Sequence, residues 1–342
     1  MDLMYIDNLE TMLKTLSWDM DLYVPYKRNE HFVFGKYDPA KTVEFNLFRT
    51  CTPPKEFLFP PLERAAVYPL DSEPPSPNPF AVFGLKECDL ASLEILDAVF
   101  GEDEFRDPLY MNWRENMFIV SSDCTDILES CFCTLFEGKG FPRAGFDLNI
   151  SPAGDGFIVE IGSEKGQAFV EKHRNIFSTP PLEAVPTRDK RREEIEQRLR
   201  QQNAEYVPGD ELKELIEREV YSEIFDTEAE GCVECQACTR VCPTCHCFFL
   251  FDSEGDDYFE KMKMWDSCIR QKYAEVAGGA NPRRLLGDRI RHRFLHKFLY
   301  FPDRHGLQMC VGCGRCIDAC MGGGDIREVL KKLRESRTAA RK

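Results

Sequence analysis

Eight cysteines in the last third of the chain fall into two runs of one spacing, Cys232-x2-Cys235-x2-Cys238-x3-Cys242-Pro243 and Cys310-x2-Cys313-x2-Cys316-x3-Cys320. Thiolates at these offsets hold [4Fe-4S] cubanes: three of them, two residues apart on a tight loop, face three corners of one cluster, and the fourth, a turn further on, points away toward a second. Ligands are then exchanged between the runs. One cluster takes Cys232, Cys235, Cys238 and Cys320; the other takes Cys310, Cys313, Cys316 and Cys242. A tetrahedral zinc site needs two Cys-x2-Cys pairs and leaves the third and fourth cysteines of each run without a role. Gly312 and Gly314 in the second run allow the backbone to approach a cluster closely, and a tight turn alone would also use them.

Eight further cysteines lie outside these runs. Cys88, Cys124, Cys131 and Cys133 follow apolar runs of strand type, where loops converge, and satisfy the ligand count of a third [4Fe-4S] cluster. Their spacing is no standard run, and buried thiols without a ligand are the alternative. Cys245, Cys247 and Cys268 are left with three readings: packing residues near a cluster, a redox dithiol, or ligands at a domain interface. Cys51 reads as an ordinary packing residue, and His246 and His296 as polar structural residues rather than ligands.

The elements that must position these groups follow from periodicity. Up to about residue 173 the sequence alternates short apolar runs at 31–35, 80–83 and 118–120 with helical stretches, one at 89–96 with Asp89 as its N-cap. A hairpin is predicted from 146–150 and 157–161 around the turn-forming 152–156. Pro180, Pro181 and Pro186 open a charged helical connector that faces water. The cysteine-rich remainder alternates clusters with helices at 283–300 and 325–333 and has little strand pattern. The expectation is a mixed α+β protein: an N-terminal α/β domain (1–178), a helical linker (179–227) and an α-helical ferredoxin domain (228–342) carrying both [4Fe-4S] motifs.

Composition narrows the function classes. Sixteen cysteines in a chain of 342 residues that opens without a basic and apolar leader read as metal or redox groups in a reducing, cytoplasmic setting. No run of about 18 apolar residues spans a bilayer. A net charge of -15 argues against nucleic acid and favours basic protein partners. Neither a P-loop nor a Gly-x-Gly-x-x-Gly opening a helix is present, so no flavin or nucleotide is expected on this chain itself.

Cys242-Pro243-Thr244-Cys245-His246-Cys247, Trp265-Asp266-Ser267-Cys268, His296-Lys297 and Cys310-Val311-Gly312-Cys313-Gly314-Arg315-Cys316, with Cys88-Asp89-Leu90-Ala91 and the Cys124 to Cys133 segment, resemble the iron-sulfur beta subunits of soluble sulfhydrogenases and the A subunit of anaerobic sulfite reductase. The resemblance implies an electron-transfer subunit of a cytoplasmic, anaerobic oxidoreductase complex. It would relay electrons between a flavin- and NAD(P)H-handling subunit and a catalytic subunit of hydrogenase, sulfite reductase or heterodisulfide reductase type, without being catalytic itself. It also implies a third cluster on Cys88, Cys124, Cys131 and Cys133, with the N-terminal domain docking the flavin subunit. The alternative is a catalytic subunit that reduces sulfur, sulfite or a disulfide at the cysteines outside the ferredoxin runs. One departure stands out: Met321-Gly322-Gly323-Gly324 follows Cys320 where the family places a proline, which predicts a looser turn.

Overall fold

The computed structural model describes residues 3–69, 77–255 and 257–340. Its first domain is built on a seven-stranded mixed sheet. The strands are β1 (Leu3–Ile6), β2 (Asp21–Arg28), β3 (His31–Lys36), β5 (Phe80–Leu85), β6 (Met117–Ser122), β7 (Leu148–Ala153) and β8 (Gly156–Ile161), in the order β1-β8-β7-β6-β5-β2-β3. The four central strands β2, β5, β6 and β7 run parallel, and β3, β8 and β1 are antiparallel additions at the two edges. β5 and β6 are buried at every residue, as parallel strands covered on both faces must be.

Alternation along β5 divides the two faces. Ala81 and Phe83 join the core formed with helices α1 (Leu9–Asp19) and α4 (Glu164–Lys172), while Phe80, Val82 and Leu85 join the core of α2 (Glu87–Phe100) and α3 (Pro108–Asn116). The result is a three-layer α/β/α sandwich. The N-cap of α2 is Lys86 rather than Asp89; Asp89 sits in the first turn and its carboxylate accepts the Lys86 backbone N–H at 3.0 Å. The predicted hairpin forms with a tighter turn than expected, since Ala153 pairs with Gly156 and β7 runs through Pro152.

Helix α5 (Ala184–Gln202), expected to face water, is anchored instead. Ile195 and Leu199 are buried, Arg192 meets Asp123 at 2.6 Å, and Arg192 and Arg188 both reach Glu160 of β8. Its charges are inward ion pairs, which a helical charge pattern alone does not distinguish from a solvated face.

The C-terminal domain packs α6 (Leu212–Arg218), α7 (Ile224–Glu230), α9 (Leu286–Leu295) and α12 (Ile326–Ala340) around one apolar core, with single helical turns α8 (Ala237–Arg240) and α11 (Arg315–Asp318) inside the two cysteine runs. A π-turn over His296–Tyr300 joins α9 to α10 (Phe301–His305). It lies where Pro302 cannot supply the N–H that an unbroken helix needs. The structure adds a hairpin that the sequence reading lacks, β9 (Phe248–Glu254) with β10 (Phe259–Trp265), and β10 pairs with β4 (Leu62–Tyr68) of the first domain to make a three-stranded sheet. A shared sheet ties the two domains together. Among the described residues no helix is long and apolar enough to cross a membrane.

Candidate metal centres

Cys88 lies in the first turn of α2, directly after β5, and Cys124 follows β6 by two residues. Because β5 and β6 are adjacent and parallel, these thiols meet in the crevice beyond the carboxyl ends of the strands, where open α/β sheets bind ligands. Cys131 and Cys133 reach the same crevice from the loop that follows. The four are electrostatically coupled: burial pushes the Cys124 thiol up to about 12, with Lys86 opposing and Cys131 adding, and burial together with Cys131 and Cys124 raises Cys133. Burial also raises Cys88, helped by Asp89 and Cys313.

The two ferredoxin-type runs approach each other through their fourth cysteines. Burial raises the Cys238 thiol while Arg293 opposes, and Cys232, Cys320 and Cys242 add to the shift, so the first run meets the last cysteine of the second. In the other direction, burial lifts Cys310 to about 12 and Cys316 to about 11, each with Cys242 adding to the shift. Cys242, Cys310, Cys313 and Cys316 line one small cavity. Left-handed residues set up both loops, Gln236 before α8 (φ 63°) and Gly314 before α11 (φ 74°). Cys235 is exposed, which places the first set at the surface.

The fit of these sets to anionic clusters is tested by the charges around them. Lys55, Lys86, Arg293 and Lys297 are inward-facing cations, and none has a carboxylate oxygen within ion-pair distance among the described residues. Lys297 Nζ donates to Cys242 Sγ at 3.4 Å and Thr244 Oγ1 at 3.0 Å. Lys55 Nζ has only the carbonyls of Cys245 (2.9 Å) and Thr239 (3.3 Å) and the ring of Trp265. Lys86, pushed down to about 8 by burial while Cys124 and Asp123 pull it up, is ringed by Asn46 O, Ser122 Oγ and Asp123 O. The Nε and Nη2 atoms of Arg293 are buried with no hydrogen-bond partner, and its neighbours are Cys238, Cys316, Cys245 and Cys242. A buried unpaired cation costs several kcal/mol. Thiolate-held clusters with net negative charge and sulfide acceptors complete this arrangement, so the residues present fit the group. No three His, Cys, Asp or Glu among the described residues converge as ligands of a single ion would; the ligands of a cubane stand further apart, around its corners.

The second and third thiol sets lie back to back. Phe132 N–H donates to Gly312 O at 2.8 Å, and Cys88, Cys133 and Cys313 pack in one cluster. The glycines of the second run serve this contact: a Cβ on Gly312 would stand 2.5 Å from Phe132 O, and one on Gly314 2.1 Å from Ser130 O, both at positive φ. Their close approach is thus to the loop of the first domain. Arg49 crosses the same boundary, with Nε donating to Cys313 O and Nη2 pairing with Asp318 at 2.5 Å, and Arg315 pairs with Asp89 at 2.7 Å with both side chains buried. The turn after Cys320 is closed rather than loose. Gly323 N–H donates to Cys320 O, Gly324 N–H reaches Cys320 Sγ at 3.1 Å, and Gly322 packs against Gly231, where a Cβ would clash.

Cys245, Cys247 and Cys268 come together against the inner side of α9, and Tyr273 Oη donates to Cys247 Sγ at 3.4 Å. Cys51 is half-buried and apart from the clusters of thiols, and its backbone N–H pairs with Phe32 O. His246 and His296 are held as neutral imidazoles by burial, at about 4 and about 3, their rings 5.6 Å apart. The buried cations are the functional residues that sequence reasoning missed. Their trace was present: Arg289, Arg293 and Lys297 recur every four residues beside Ile290, Phe294 and Phe298, so basic residues share the buried face of an amphipathic helix.

Residues 231–323 match the family model of the 4Fe-4S dicluster domain. The chain is similar to the sulfhydrogenase 2 subunit beta of Pyrococcus furiosus, with 32% identity over 320 residues that cover 92% of each chain.

Proposed function

Since the chain belongs to the family of sulfhydrogenase beta subunits, an iron-sulfur family of electron-transfer subunits, we propose that it is the relay of a cytoplasmic hetero-oligomeric complex, between a flavin- and NAD(P)H-handling subunit and a catalytic subunit of hydrogenase, sulfite reductase or heterodisulfide reductase type. In this reading Cys232, Cys235, Cys238 and Cys320 hold one [4Fe-4S] cluster, Cys310, Cys313, Cys316 and Cys242 a second, and Cys88, Cys124, Cys131 and Cys133 a third. When bound, each cluster accepts and releases one electron.

The observation that carries this reading is the contiguity of the three thiol sets. Cys88, Cys133 and Cys313 pack in one cluster across the domain boundary, with Cys88 electrostatically coupled to Cys313, and Cys242 and Cys238, from the two ferredoxin-type sets, share Arg293. Both ends of this line reach solvent. A cleft lined by Cys88, Cys133, Glu87, Glu94 and Arg143 opens onto the N-terminal set, which suits docking of the flavin-bearing partner. At the other end Cys235 is exposed beside Val233 and Met321, two apolar side chains left open to water, which suits a face covered by the catalytic subunit. Between the ends, Phe132, Val311 and Ile326 wall the cavity of the second set together with Arg293 and Lys297, whose charges act on its thiolates there.

The test is iron and acid-labile sulfide per anaerobically purified chain, with EPR spectra before and after reduction. At least about twelve irons, at four per cubane, are expected from three sets. About eight would remove the N-terminal set from the relay, and zinc without sulfide would overturn the reading.

A further inference from the structure

Cys245, Cys247 and Cys268 line one small cavity, next to the one lined by Cys242, Cys310, Cys313 and Cys316. The two share a wall: Arg293 of α9 and Lys297 of the following π-turn line both. Arg293 presents buried, unpartnered nitrogen atoms there, and Lys55 arrives from the first domain to sit on the Cys245 carbonyl. The three thiols thus face Arg293, Lys297 and Lys55, three cations without a carboxylate partner among the described residues, a setting that favours thiolate-held anionic groups. Asp266, which also borders the cavity, is already committed to Arg270 through two hydrogen bonds of 2.6 and 2.7 Å.

We propose that Cys245, Cys247 and Cys268 hold a further [4Fe-4S] cluster, distinct from the three sets above, whose fourth iron corner faces His296 instead of a cysteine. His296 and Lys297 stand on the cavity wall with Arg293, at i+3 and i+4 from it, where helical residues share one face. On its far side His296 lines a second, surface-open cavity of about 400 Å3 together with His246, Tyr300 and Arg304, so the non-cysteine corner is the one corner reachable by a small ligand. The site adjoins its neighbours, since Cys245 lies beside Cys242 and Cys268 beside Cys238.

The experiment uses the full chain, reconstituted anaerobically with ferrous iron, sulfide and a thiol reductant. Cys247→Ser with Cys268→Ser is expected to lose about four irons and four sulfides relative to wild type while the reduced ferredoxin-type EPR signals persist; Cys124→Ser with Cys131→Ser reports separately on the N-terminal set. Retention of the full iron content by the Cys247/Cys268 variant overturns the proposal and leaves the relay reading standing. A second measurement needs no variant to fold. Ferricyanide removes one electron from a [4Fe-4S]2+ cluster, and the [4Fe-4S]3+ product sheds Fe2+ from a corner without cysteine, leaving [3Fe-4S]+. Wild type is expected to give that [3Fe-4S] EPR signal at about one spin per chain, and Cys268→Ala none. Absence of the signal in wild type, or its survival in Cys268→Ala, refutes a three-cysteine cluster here.

Discussion

Replacing Lys297 with methionine keeps the volume of a buried side chain and deletes one positive charge beside the second ferredoxin-type set. Nζ stands 3.4 Å from Cys242 Sγ. The electron that reduces a cluster spreads over the whole cube, so its mean distance from Nζ is about twice that, roughly 7 Å, and at an effective dielectric of about 20 the lost attraction is roughly 2 kcal/mol. At about 1.4 kcal/mol and 59 mV per tenfold for one electron, this lowers the reduction potential by about 100 mV. The sign follows from charge: the reduced cluster is the more negative form and loses more from removal of the cation. An EPR-monitored redox titration of the full chain measures it, with Lys297→Arg as the charge-retaining control that stays near wild type. A shift below about 20 mV, or one upward, would refute the assignment of Lys297 as a potential-setting residue for the set containing Cys242.

Three other outcomes follow from the geometry. Gly314→Ala places a Cβ 2.1 Å from Ser130 O at φ 74°, and is expected to cost about 1 to 3 kcal/mol, read as a lower midpoint of thermal unfolding; an unchanged midpoint would show that the two loops do not touch. Arg315→Met leaves Asp89 buried without its 2.7 Å partner and should destabilise by about 3 to 5 kcal/mol in denaturant unfolding, with much of that recovered when Asp89→Leu is added. Additive losses in the double variant would contradict a direct pair. Cys320 keeps its donor from the Gly324 N–H, so Gly324→Pro, which removes that donor, is expected to lower the potential of the first set by tens of mV, and an unmoved titration curve would count against it.

How much of this was legible depended on how local the physics is. The cysteine runs are local in spacing, and the structure brings Cys320 near Cys238 and Cys242 near Cys316. Strands β5 and β6 were legible because a fully buried parallel strand is an apolar run bounded by polar turns. The hairpin of β9 and β10 was not, because Phe248 through Leu250 point largely to solvent and Glu260, Lys261 and Lys263 interrupt the apolar pattern; what makes it a strand is pairing with β4, some two hundred residues away. Helix α5 misled for a related reason, since Arg188 and Arg192 look solvated until Asp123 and Glu160 are placed opposite them. The cations around the thiol sets were hidden likewise: an Arg on a helix reads as surface unless its neighbours at four-residue spacing are known to be buried.

The contact of Gly312 and Gly314 with the loop at residues 130–133 bears on how such a protein is inherited. A dicluster unit whose loop hydrogen-bonds to Phe132, and whose carbonyl at Cys313 is capped by Arg49, is not a portable cassette. Transplanted alone into another protein it would present a bare glycine-lined notch and two buried guanidinium partners left behind. Recombination that reuses it must therefore carry the first domain along, and divergence among such chains is expected to fall on the surfaces around Cys235 and the Cys88 cleft, while the seam between the domains stays fixed.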